Sequence, residues 1–276
     1  MRADLHIHTF YSDGTYSPEE VFVKAEAAGM GVISITDHDT VKNIAENYRL
    51  AEKYGVTYIP GIEFSAYTDE QVHILGYNFA MTENFVRTLG RLKEMRDERN
   101  LKIMQKLRDY GVDISLKDIE LTAGDSFGST HIVRALVKKG VVENNREGFE
   151  RYVGFGAPCF VGELRMSAEE AVRTIVEAGG TAVLAHPGKM KKLGAVQKEK
   201  FIGYLKTLGL SGIEAHYFSH TDTETEYYVR LADRLGLICT SGSDCHGEGR
   251  EERIGSPGAE LDLRAQKVLL MNKLPL

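Results

Sequence analysis

Short apolar runs that each end in histidine, aspartate or glutamate recur along this chain, and they constrain what it can fold into more than anything else in it. Asp4-Leu5-His6-Ile7-His8-Thr9 places two histidines two residues apart. In a strand that spacing sends both imidazoles to one face and Leu5 and Ile7 to the other. Thr36-Asp37-His38-Asp39 closes Val32-Ile33-Ser34-Ile35, and Glu63 follows Tyr58-Ile59-Pro60-Gly61-Ile62. His73 lies between Val72 and Ile74-Leu75, and His186-Pro187 ends Ala182-Val183-Leu184-Ala185. Asp244-Cys245-His246 follows Leu237-Ile238-Cys239-Thr240-Ser241. Six of the nine histidines belong to this pattern, so it outweighs coincidence.

Taken singly, each piece has an ordinary reading. His131, His216 or His220 alone reads as a satisfied core histidine, Asp13-Gly14 as a turn, and Thr36 to Asp39 as a strand running into a helix cap. Taken together, imidazoles and carboxylates without thiolates at one end of successive strands suit a polynuclear site for zinc, manganese or iron.

Strands are predicted at 3–8, 32–37, 57–65, 71–78, 181–186, 212–217 and 237–243, with helices at 18–29, 43–54, 167–179, 197–209 and 222–235. Ser17-Pro18-Glu19-Glu20 and Ser167-Ala168-Glu169-Glu170 read as helix starts, while Gly29, Gly55, Gly179 and Gly236 sit where helices stop. This alternation predicts an α/β protein with a parallel sheet and right-handed crossovers. Candidate ligands near the strands' C-terminal ends fit a barrel better than an open sheet. From about Glu83 to Phe160 the rhythm breaks. Phe85, Leu89, Leu92, Met95, Ile103, Met104 and Leu107 recur at helical spacing, and a second helix is expected at 130–140. The chain is therefore expected to divide into a barrel domain, 1–82 with 161–276, and a helical subdomain, 83–160, inserted over the barrel mouth.

The Asp-Leu-His-Ile-His-Thr start, the Thr-Asp-His-Asp block, the lone Glu63, Ala185-His186-Pro187 and Ser243-Asp244-Cys245-His246 resemble, in order and spacing, the polymerase-and-histidinol-phosphatase (PHP) phosphoesterase superfamily. Ser12 to Glu19 and the His131 to Leu136 run resemble most closely its stand-alone bacterial members, which act on nucleotide 3′-phosphates and short RNA. The resemblance implies a distorted (β/α)7 barrel. It also implies two or three divalent ions (manganese, zinc or iron). His6, His8, Glu63 and Asp244 would hold the first, Glu63 would bridge to a second with His73 and His186, and Asp13, His38 and His246 would hold a third. Asp37 and Asp39 are expected to orient His38 or other ligand imidazoles, which makes Asp37 a candidate for the catalytic machinery. Arg134, three residues after His131 on one helix, is expected to reach a substrate phosphate, with His131 and Lys189 as further substrate-binding candidates.

The expected reaction is attack on phosphorus by a metal-activated water, with no phosphoenzyme. The substrate would be a small nucleotide, such as a 3′,5′-bisphosphonucleoside, or short RNA. Another PHP-type activity, on histidinol phosphate for example, is the alternative, and a non-catalytic metal-binding PHP module is a third reading. An amidohydrolase-like C–N hydrolase would typically need a metal-bridging lysine, and no lysine ends a predicted strand. A net charge of −6, with no basic block longer than Lys189 to Lys192, argues against coating long nucleic acid. Cys159, Cys239 and Cys245 are too few and too scattered for a zinc finger or a secreted disulfide framework, and Cys245 is expected to pack away from the metals. No leader-like start or membrane-length apolar run is present, so no membrane partner and a cytoplasmic location are expected.

Overall fold

The computed structural model describes residues 1–68, 71–120, 127–162, 166–248 and 253–271. Nine strands and nine α-helices alternate for most of that length: β1 (Arg2–Ile7), α1 (Pro18–Ala27), β2 (Val32–Ile35), α2 (Ile44–Tyr54), β3 (Thr57–Tyr58), β4 (Gly61–Tyr67), β5 (Gln71–Tyr77), α3 (Glu83–Asp109), α4 (Ser129–Lys138), α5 (Asn145–Gly148), α6 (Ala168–Glu177), β6 (Thr181–Leu184), α7 (Ala195–Thr207), β7 (Gly212–Tyr217), α8 (Asp222–Leu235), β8 (Ile238–Gly242), β9 (Ala259–Glu260) and α9 (Leu263–Leu270). The five helices read from periodicity outside 83–160 form within a few residues of their expected ends. Side chains set the starts of some: Ser17 caps α1 in a reciprocal box with Glu20, and Thr221 does the same with Glu224 for α8.

The fold is mixed α/β, and it departs from an all-parallel, closed barrel in two ways. The strand expected at 57–65 breaks at Pro60, which has no N–H to donate. Its first part, β3, pairs parallel with β2, and its second part, β4, pairs antiparallel with β5. Gly61 makes the crossing possible, because a Cβ there would lie 2.2 Å from Ser34 Oγ. Only residues 68–70 separate β4 from β5, far fewer than the dozen or so a parallel crossover needs, so β5 runs backwards between β4 and β6.

The second departure is in closure. The described strands form two sheets, ordered β3-β2-β1-β9 and β4-β5-β6-β7-β8. The sheets meet along two seams of isolated bridges. On one, the Asp244 N–H donates to the His6 carbonyl (2.8 Å) and the His8 N–H to the Cys245 carbonyl (2.9 Å). On the other, the Asp39 N–H donates to the Glu63 carbonyl (3.0 Å) and the Glu63 N–H to the Asp37 carbonyl (3.3 Å). Cys245 is buried beside Ile7 and Phe22 in the core under β1 and β2, a packing residue as expected.

Residues 103–161 build a hydrophobic cluster of their own from Ile103, Met104, Leu107, Ile132, Leu136 and Val161, among others. Helix α3 is shared between cores: Phe85 and Leu92 pack with β4, β5 and α6, while Ile103 to Leu107 pack with α4. One long helix therefore ties the helical part rigidly to the sheets. None of the described helices is long and apolar enough to cross a membrane.

Candidate metal centre

All the candidate ligands converge on the seams, where backbone irregularity lets side chains turn inward. Asp39, His186 and Asp244 have positive φ (51°, 25° and 53°), conformations costing about 1–3 kcal/mol each for a non-glycine residue. His73 arrives differently from the expectation that every ligand ends a strand. It lies near the start of β5, opposite Ser65, and shares the site because β5 is reversed.

Glu63 is the hub. It is fully buried, and five imidazoles surround its carboxylate. Oε1 lies 2.7 Å from His73 Nδ1, 3.1 Å from His186 Nε2 and 3.3 Å from His6 Nε2. Oε2 lies 3.2 Å from His8 Nε2 and 3.0 Å from His38 Nδ1, and accepts no hydrogen bond. Glu63 thus belongs to two groups of candidate ligands at once, the position a bridging carboxylate needs.

Asp244 and Asp13 share a second design. Asp244 Oδ2 accepts from the Lys189 ammonium and the Tyr217 hydroxyl, both at 2.8 Å, while Oδ1 faces His8 Nε2 (3.2 Å) and His6 Nε2 (3.4 Å). Asp13 Oδ2 accepts from Thr130 (3.0 Å), while its buried Oδ1 accepts no hydrogen bond and faces His246 Nε2 at 3.2 Å and His38 Nε2 at 3.9 Å. In each, donors occupy one oxygen and leave the other aimed at imidazoles.

The spacing fits divalent cations. Four donors about 2.1 Å from a tetrahedral ion lie roughly 3.4 Å from one another. His6 Nε2 and His8 Nε2 are 3.1 Å apart, and their distances to Glu63 and Asp244 run from 3.2 to 3.4 Å. His6, His8, Glu63 and Asp244 form one such group, His8, Asp13, His38 and His246 a second, and His38, Glu63 and His73 a third. His186 joins through its contact with Glu63. Electrostatics agree. Burial opposes ionisation of Glu63, but His73, His6 and His38 hold its carboxyl well below the usual range. Burial, helped by His186 and His38 and outweighing the Glu63 carboxylate, takes His73 down to about 4, so it is neutral and ready to coordinate at pH 7.

Sequence reasoning missed Glu214 on β7. Its Oε1 accepts from His6 Nδ1 (2.9 Å) and its Oε2 from the His186 backbone N–H (2.7 Å). One buried carboxylate thus fixes the His6 tautomer with Nε2 facing the site and holds His186 in its left-handed conformation. The signal was a lone glutamate inside the apolar run Gly212-Ile213-Glu214-Ala215, where an acid is costly unless it has partners. Glu214→Gln, which cannot serve both donors as an acceptor in the same way, is expected to weaken metal affinity about 10- to 100-fold with the fold retained. Competition against a fluorescent chelator measures this, and unchanged affinity would remove Glu214 from the design.

Four residues expected to orient ligands or bind substrate make other contacts in this structure. Asp37 touches no ligand imidazole. It accepts from the Thr9 N–H (2.8 Å), the Thr9 hydroxyl (2.6 Å) and the Ser12 hydroxyl (2.6 Å), pinning the loop that carries Asp13. Arg134 does not enter the cavity over the cluster. It donates to the Asp13 carbonyl (2.7 Å), because α4 turns its Thr130/Arg134 face onto that loop. His131 is buried beside it, with Nδ1 accepting from the Gly128 N–H (3.1 Å). Asp39 binds the Ser65 N–H (3.0 Å) and Arg96 of α3, which also reaches the His38 carbonyl (3.0 Å). Of the expected substrate-binding residues, Lys189 lines the cavity, joined by Arg96 and Arg99, which the sequence did not single out.

The PHP domain family matches residues 4–253. The chain belongs to this family. The PHP chain is 32% identical over 245 residues to a 5′-3′ exoribonuclease of Haemophilus influenzae (88% of this chain, 89% of that protein). It is 33% identical over 256 residues to a 3′,5′-nucleoside bisphosphate phosphatase of Chromobacterium violaceum (91% and 89%). It is 32% identical over 263 residues to a phosphoribosyl 1,2-cyclic phosphate 1,2-diphosphodiesterase of Eggerthella lenta (92% and 98%). A solved structure from Bifidobacterium adolescentis superposes on 99% of this chain and 97% of its own with a TM-score of 0.88 at 26% identity. Family and relatives point to a metal-dependent phosphoesterase.

Proposed function

We propose that this PHP protein hydrolyses phosphate esters of small nucleotides, such as nucleoside 3′,5′-bisphosphates, with short RNA as a second substrate. The observation that carries the proposal is a cavity of about 320 Å3 whose floor is the buried His/Asp/Glu cluster. That volume is at the small end of ligand pockets, suited to a mononucleotide or a chain end. His6, His8, Glu63 and Asp244 would hold one ion. Glu63, His73 and His186 would hold a second and Asp13, His38 and His246 a third, with His8 and His38 near enough to be shared. Manganese, zinc and iron all suit this donor set. When bound, the ions would supply Lewis acidity and an activated water. The chain's own groups orient the ligands (Glu214, Asp37, Thr130) and present cations to phosphate oxygens (Lys189, Arg96, Arg99). We read the sheets with α1, α2 and α6–α9 as a distorted (β/α)7 barrel, and residues 83–160 as the helical unit over its mouth.

The Eggerthella lenta relative favours a second reading, cleavage of a cyclic phosphate on a base-free sugar. The test is a chromatographic product screen of manganese-loaded protein, because opening a cyclic phosphate or removing a terminal nucleotide frees no inorganic phosphate. Its substrates are adenosine 3′,5′-bisphosphate, 5′-phosphorylated RNA dinucleotides, histidinol phosphate and phosphoribosyl 1,2-cyclic phosphate. The nucleotide reading predicts the highest kcat/KM for the bisphosphate, and preference for either of the last two overturns it.

A further inference from the structure

Beside Arg96, Arg99 and Thr130, the helical unit gives the cavity lining a set of apolar side chains: Leu92, Met95, Phe149, Val153, Phe155 and Phe160. Leu92 and Val153 are buried, so they read as packing. Phe155 is different. It is 51% exposed, and among the large exposed apolar side chains of the described residues it is the one that lines this cavity. An exposed phenylalanine alone means little. This one is held in place by the backbone around it. Gly154 donates to the Phe149 carbonyl (2.7 Å), so close that a Cβ would lie 2.5 Å from that oxygen. Gly156 has φ +80°, which turns the chain back after a single residue. The Phe160 ring meets Phe155 edge-on at 5.2 Å, Tyr67 stands 6.5 Å away, and the Lys192 ammonium sits 3.8 Å from the Phe155 ring centre. A turn that no side chain at 154 could join thus presents a buttressed aromatic ring to the cavity that the candidate ligands also line.

We propose that Phe155, backed by Phe160, is the stacking platform for the base of the substrate, so that the enzyme selects phosphate esters carrying an aromatic base over base-free sugar phosphates. This rests on the phosphoesterase reading and deepens it: the phosphate goes to the floor, the base to the wall, and the sugar spans them. Stacking on an aromatic side chain tolerates every base, because each has a π-face, which suits an enzyme acting on nucleotides without sequence preference.

The test uses two variants of the full chain. Phe155→Ala is expected to lower the ratio of kcat/KM for adenosine 3′,5′-bisphosphate to kcat/KM for ribose 5-phosphate by roughly five- to 150-fold, the range for losing one base–aromatic stack. Phe155→Trp should keep that ratio near the parent's. Because the chain contains no tryptophan, it also installs a single fluorophore at the platform. Its emission should be quenched saturably by adenosine 5′-monophosphate, and far less by ribose 5-phosphate at equal concentration. A ratio unchanged in Phe155→Ala, or equal quenching by both probes, overturns the platform while leaving phosphoester hydrolysis standing. Protein that cleaves no phosphate ester at all, yet is quenched selectively by the nucleotide, keeps the platform and overturns the phosphoesterase reading.

Discussion

Glu63→Gln is expected to lower both metal content and turnover, the latter by about 1,000-fold or more. The carboxylate faces five imidazoles and belongs to two of the ligand groups. An amide offers one acceptor and no charge, so the cations would lose their shared anion. The Lewis-acid contribution at stake is several kcal/mol, which is where the factor comes from. A second readout does not depend on turnover. Burial disfavours protonation of His8, but the neighbouring Asp244 and Glu63 carboxylates outweigh it and push its pKa up to about 9 in the metal-free protein. Removing the Glu63 charge should bring that pKa down, which histidine NMR titration follows directly. Metal stoichiometry equal to the parent's by elemental analysis would mean that Glu63 is no bridge.

Chelation is expected to abolish turnover, and manganese, zinc or iron to restore it, with a pH dependence whose sign follows from the same histidine. With a pKa of about 9, His8 is protonated at pH 7 in the metal-free protein, whereas a ligand imidazole must be neutral. Cation binding therefore expels a proton at neutral pH. His6, where burial is likewise outweighed and the Glu63, Glu214 and Asp244 carboxylates raise the pKa well above the usual histidine range, adds to the effect, so apparent affinity should rise with pH through neutrality. His73, at about 4, contributes nothing to that slope near neutrality. Calorimetry at pH 7 in two buffers of different ionisation enthalpy measures the released protons. Turnover that survives exhaustive chelation in protein free of metal by elemental analysis would sink the mechanism.

Much of this site could be seen before any fold was known, for a simple physical reason. Strand ends are short-range features, and ligands that close an apolar run announce themselves by residue type and position. His6 and His8 at period two, His38 after β2, and Asp244 and His246 after β8 need no tertiary information to be recognised as one set. Helix limits were equally local, because capping side chains such as Ser17 and Thr221 act within one turn. The direction of β5 was also within reach: the three residues between it and β4 rule out a crossover, although the strand pattern by itself suggested a parallel sheet.

Other features depended on contacts between residues far apart in the chain. Whether Arg134 meets a substrate or the Asp13 carbonyl is decided by how α4 rotates against the β1–α1 loop, 121 residues away. Glu214 looked like a misplaced acid until β7 carried it beneath His6 and beside the His186 amide. Nothing in the sequence set Arg96 and Arg99 apart from the other charges of α3, which lays them along the cavity. The sequence by itself determined which side chains could bind metal and roughly where strands and helices would run, since those depend on neighbours a few residues away. Only the tertiary structure decided how the two sheets meet, which acids orient the ligands and which rings line the cavity, because packing between distant segments sets those distances.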